Sequence, residues 1–137
     1  YYTGRYQDCR EQFESHRTVN PADVENAVWH FLCVARLESP EEARTALLPV
    51  ELDRRSPMPE IYEMFRGTMI PEKMMESATD EAASRFYSHL YLGLYYEAFG
   101  DQQRALEHIR TAVEDRSALG YMHTVAQIHL DVLERPE

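Results

Sequence analysis

Apolar residues in this chain fall in short clusters separated by polar and charged ones, and Val, Ile and Thr never gather into the alternating runs that a strand needs. Leu, Ala, Glu and Arg dominate while Gly numbers only 5, so local preference is helical nearly throughout. The predicted fold class is all-α, with almost no strand. Helix starts are legible where a capping side chain precedes a proline suited to a first turn. Asn20 stands before Pro21, and Ser39 before Pro40, the latter with Glu42 as a capping box. These signals predict helices over 5–18, 21–37, 40–48, 80–99, 102–115 and 118–134. Two shorter ones, over 59–66 and 71–78, are introduced by Ser56-Pro57-Met58-Pro59 and Ile70-Pro71, with Gly67 ending the first.

Self-similarity organises these helices further. Cys9 and Ala43 are 34 residues apart, as are Phe13 and Leu47, and this is the tetratricopeptide period. A better copy, Tyr91-Leu92-Gly93-Leu94-Tyr95-Tyr96 followed by Gly100-Asp101 and then Ala105, Ile109 and Ala112, resembles a tetratricopeptide repeat. In that reading Gly93 lets the paired helix approach closely, Gly100 takes the left-handed conformation that ends one helix, and Asp101 caps the next. Between Val50 and Thr79 the pattern breaks, because Ala43 and Ala105 are 62 residues apart where two unbroken repeats would give about 68. The expected architecture is a single tetratricopeptide-type α-α solenoid domain over 1–137. It comprises repeat-like segments at about 1–21, 22–50 and 80–116, an irregular helical insert at 51–79 and a C-terminal helix at 118–134. Taking Gly4 as a turn glycine makes Tyr1 and Tyr2 the end of a preceding helix. The domain is then truncated at its N-terminus, and the face of helix 5–18 that carries Tyr6 and Phe13 is partly uncovered.

Composition narrows the function classes. The 137 residues are 44% hydrophobic, which suits one modest core rather than two. With 24 acidic against 14 basic residues the formal charge is −10, and such a surface repels phosphate, so nucleic acid is not an expected partner. No stretch approaches the roughly 20 apolar residues of a membrane span. Cys9 and Cys33 each fall on an apolar helical face and read as small core filler, with a disulfide or a reactive thiol as the alternatives; compartment is not legible from them.

Six histidines invite a search for metal or acid–base chemistry. His30 and Cys33 are neighbours on one helical face, but a zinc site needs three or four ligands, and the others would have to come from His89, His123 or His129 on other helices. His16 and His108 read as solvent-facing. Ser88 and His89 diverge around their helix without a Gly-rich elbow beside them, and the isolated glycines form no phosphate cradle. The expectation is therefore no enzyme, no cofactor and no metal. A remote third reading is a metal-binding or hydrolytic protein using His30, His89 and His123. Acidic pairs such as Glu41-Glu42 and Asp80-Glu81 read as solvated helix starts.

Aromatic residues are more telling, since Phe86, Tyr87, Tyr91, Tyr95, Tyr96 and Phe99 crowd one helix beyond a single buried stripe. By repeat register a concave face would be lined by Val28, Leu32 and Arg36, by Tyr87, Leu90, Leu94 and Glu97, and by Tyr121, Thr124, Ile128 and Asp131. Such a face would hold a partner peptide or helix, with Tyr87, Leu94 and Tyr121 as anchors and Arg36 and Glu97 orienting it. Alternatively it is filled by the chain's own insert, rich in Met58, Ile61, Met64, Phe65, Met69, Met74 and Met75, or by a second subunit. The Leu94→Glu substitution separates the cases, because unfolding marks a core residue.

Beyond the generic repeat, three stretches resemble the NlpI-type tetratricopeptide lipoproteins of bacterial envelopes. They are Gly4-Arg5-Tyr6 to Pro21, the central Pro59-Glu60-Ile61-Tyr62-Glu63-Met64-Phe65-Arg66-Gly67 block with Pro71 to Ala78, and His89 to Ala112 leading into Gly120 to Leu133. This resemblance implies a non-enzymatic, often dimeric adaptor that brings peptidoglycan enzymes or a protease together with their clients. A periplasmic, envelope-associated location is implied with it. The main expectation is thus an adaptor whose partners are other proteins or peptides, with a homodimeric structural oligomerisation module as the alternative.

Overall fold

A computed structural model of the chain describes residues 1–117 and 120–135. Among these residues the secondary structure is all-helical, without strands. The helices are α1 (Tyr6–His16), α2 (Val24–Leu37), α3 (Pro40–Thr45), α4 (Met58–Arg66), α5 (Pro71–Glu76), α6 (Ala82–Ala98), α7 (Gln102–Glu114) and α8 (Tyr121–Leu133). Each expected helix has its counterpart, and the differences lie at the ends. The first two residues of the helix expected at 118–134 lie outside the described residues.

Boundary corrections of three residues fall at the start of α2 and the end of α3. Asn20 does not cap α2; its side-chain oxygen instead accepts the Ala22 N–H at 3.3 Å in a local turn. The chain then extends through Asp23, whose carboxylate accepts the Asn26 N–H at 3.2 Å, and the helix starts at Val24. Ser39 does cap α3, accepting the Glu42 N–H at 3.1 Å. That helix stops at Thr45 rather than at 48, because Pro49 disfavours helical geometry in the residue before it. The Leu48 carbonyl freed in this way accepts the Tyr62 hydroxyl at 3.1 Å. At α6, Asp80 and Glu81 stay in the preceding turn, where the Thr79 hydroxyl accepts the Glu81 N–H at 3.4 Å.

The chain divides into two compact units, Tyr1–Met74 and Met75–Glu137. In the first, α1 and α2 run antiparallel: Arg10 pairs with Glu38 at 3.3 Å, while Glu14 lies 3.0 Å from His30. Cys9 and Cys33 form a disulfide across this pair, which corrects the core-filler reading, although both residues are also buried. Helical spacing places Asn26, His30 and Cys33 on one side of α2, and each meets α1. Phe31 packs edge-on against Phe65 of α4 at 5.1 Å. Met58, Ile61, Met64, Phe65 and Met74 are all fully buried, so the insert contributes core rather than loop. Asp53 fastens the segment before α4 to the start of α2, accepting the Val24 N–H at 3.2 Å and pairing with Arg55 at 2.7 Å. Burial alone pushes the Asp53 carboxyl up, but hydrogen bonds from Arg55 and Val24 outweigh it and hold the group below its usual range.

The second unit is built on the α6–α7 hairpin. Tyr96 meets Arg104 near the turn and His89 meets His108 farther away, which is the register of an antiparallel pair. Gly100 turns the chain at φ +86°, and Asp101 caps α7 by accepting the Arg104 N–H at 3.1 Å. The two helices approach closely at Gly93, where an added Cβ would lie 2.6 Å from the Ile109 side chain and 3.1 Å from the Ala105 carbonyl oxygen. Ala105, Ile109 and Ala112 are fully buried along this seam. α8 then lies antiparallel to α7 and parallel to α6. Its His123 Nε2 bonds the Val113 carbonyl at 2.9 Å and Arg110 pairs with Glu134, whereas on α6 Phe86 faces His123 and Glu97 faces His129.

Candidate interaction surface

The residues expected to line a concave face divide sharply. Val28, Leu32, Leu90 and Leu94 are at most 2% exposed and belong to the core. Glu97 is buried as well, its carboxylate 2.7 Å from Nε2 of His129, which is itself fully buried. Tyr87 is half-buried and stacks on Tyr91, with ring centroids 6.2 Å apart. Arg36 is exposed; its Nε donates to the Tyr1 hydroxyl at 3.0 Å, and its guanidinium lies over the Tyr1 ring. Tyr121, Thr124, Ile128 and Asp131 are exposed on α8. The structure therefore brings Tyr121, Thr124 and Ile128 together on a free face and withdraws the leucines from one.

That face is the candidate surface. Tyr121 is 81% exposed, Ile128 45% and Val132 40%. At 3.6 residues per turn these three positions fall within a narrow stripe along one side of α8. The side of α8 that carries His123, Ala126 and His129, all buried, is held in the unit's core. Because His123 and His129 each spend a ring nitrogen on a neighbouring helix, the apolar stripe has no freedom to roll inward. An exposed apolar stripe on a helix held from behind is a candidate for association.

The histidines are arranged otherwise than the sequence indicates. His30 faces Glu14, His123 faces the Val113 carbonyl and His89 faces His108, so the constellation of His30, His89 and His123 is not assembled. Among the described residues no group of three or more His, Cys, Asp or Glu side chains is placed to hold a metal ion. His108, expected in solvent, is half-buried: its ring stacks on Tyr96 at 5.7 Å and its Nδ1 lies 3.0 Å from Nδ1 of His89. Burial first, and then the charge of His108, push the His89 ring below its ordinary value, while Asp115 acts in the opposite sense. Burial also lowers His108, with Glu107 opposing and Arg104 reinforcing the shift. Neither pairing was legible beforehand, since the partners are 19 and 32 residues apart in the chain. A polar Glu97 among apolar groove positions was the one available signal.

No helix among the described residues is long and apolar enough to cross a membrane. The sequence matches no family model and no curated protein.

Proposed function

We propose that this chain is a tetratricopeptide-type protein–protein adaptor whose α8 face receives an amphipathic helix of another polypeptide. The stripe of Tyr121, Ile128 and Val132 carries this reading, because it is apolar, exposed and set on a helix locked from behind. The hairpin's close crossing at Gly93 and the parallel placing of α8 beside α6 support the solenoid reading, in which each helix pair leaves a face for the next. The stretches that resemble NlpI-type lipoproteins suggest cell-envelope enzymes or a protease as the assemblies served. The Cys9–Cys33 disulfide is compatible with the oxidising compartment this requires. No catalytic role is assigned to any residue.

The test replaces Ile128 by Glu and follows two readouts, solution mass and site-specific crosslinking from position 121 in envelope extract. Loss of a defined heterologous crosslink with unchanged melting supports the adaptor reading. A wild-type dimer that Ile128→Glu converts to monomer, without any heterologous crosslink, replaces it with self-assembly.

A further inference from the structure

We propose that His89 and His108 form a two-histidine chelate for a late first-row divalent metal ion, Cu(II) or Ni(II), that clamps α6 to α7. The two Nδ1 atoms lie 3.0 Å apart, from different helices. Imidazole nitrogens bind such ions at about 2.0–2.1 Å, so two cis ligands of a square-planar ion stand about 2.9 Å apart and two ligands of a tetrahedral ion about 3.3 Å. The observed separation lets both nitrogens reach one ion, and the usual affinity order for nitrogen donors, which peaks at Cu(II) with Ni(II) on the rise toward it, names the ion. In the metal-free pair one Nδ1–H donates to the other Nδ1. Metal binding needs both Nδ1 lone pairs, so the shared proton leaves and the ring that carried it is protonated on Nε2 instead, with no change in net protonation. Water completes the coordination, as the half-buried rings remain reachable from solvent.

The surroundings favour this use. His108 is held in orientation by its stack on Tyr96, and the nearest cation on that side, Arg104, is drawn over the Tyr96 ring at 5.3 Å and toward Asp101 at 3.5 Å. The charge of Asp115 acts on His89 and favours a cation there, although Arg85 lies 3.5 Å from that carboxylate. Burial lowers the proton affinity of both rings, which eases the competition of protons for the lone pairs.

The experiment uses the full 137-residue chain free of any affinity-tag histidines, titrated with CuCl2 and NiCl2. Expected are one tight equivalent, a Cu(II) electron paramagnetic resonance spectrum with splitting from two nitrogens, and a raised melting temperature. His108→Gln should weaken binding by more than the roughly tenfold that loss of an outer ligand partner costs. His89→Gln should do the same, whereas the exposed His16→Gln should bind as the parent does. Wild-type binding by His108→Gln, or a spectrum without paired nitrogen splitting, overturns the proposal. If His89→Gln does not fold, the His108 variant decides alone.

Discussion

At the scale of single residues, the contact that governs the second unit is the one made by the side chain Gly93 lacks. An alanine there would gain helix propensity worth about 0.5–1 kcal/mol. Its Cβ, however, would stand 2.6 Å from the side chain of the fully buried Ile109 and 3.1 Å from a backbone oxygen. Overpacking of this kind costs about 1–3 kcal/mol, so the steric term wins. Gly93→Ala is expected to lower the stability of the second unit by about 1–2 kcal/mol, read from its urea midpoint. This position was readable from sequence, because a small residue beside Tyr91, Tyr95 and Tyr96 has few uses other than a crossing. His129 and Glu97 were not readable. Their pairing depends on the angle at which α8 returns to α6, and no local spacing encodes that angle.

At the scale of elements, helix identity was legible and helix ends less so. Ser39 and Asp101 cap where their positions before Pro40 and Gln102 indicate, yet Asn20 loses α2 to Asp23 because its side chain closes its own turn first. The insert shows the same limit. Its short helices were visible from their prolines, but that its methionines fill a core rather than an open groove follows only from packing. Across α6 and α7, the burial of His89 and His108, with the charge of His108 adding to it at His89, makes the hairpin acid-sensitive. Both rings have folded pKa values below the ordinary 6.5. As pH falls through about 6.5 the unfolded chain takes up protons that the folded hairpin resists, so stability is full above that pH and declines below it toward the folded values. Denaturant midpoints of the second unit between pH 7.5 and 5 should fall accordingly. His89→Gln together with His108→Gln should show a shallower decline than the parent.

For the molecule as a whole, the all-helical class followed directly from composition and from the absence of alternating runs, whereas the candidate surface did not. Repeat register put Tyr121, Thr124 and Ile128 in one concave face with Leu90 and Leu94; the first three are exposed, whereas the fold encloses the leucines. Periodicity tells which residues share a side of a helix; it does not tell which side the rest of the chain will cover. Covalent structure adds a constraint on the first unit. The Cys9–Cys33 bond spans 24 residues, and loop closure of that length is worth about 3 kcal/mol in the chain-entropy picture. Replacing both cysteines by serine should therefore speed amide hydrogen exchange throughout α1 and α2, measured by mass spectrometry against the oxidised chain. Unchanged exchange would mean that the polar contacts of Asn26 and His30 hold α1 without help.

The same bond consumes both sulfhydryl groups of the chain. A mature preparation is consequently silent to maleimide dyes and to colorimetric thiol reagents, and gives two equivalents once denatured and treated with phosphine. Any signal before that treatment counts the molecules whose oxidation was never completed, so a simple colour assay grades the quality of each purification.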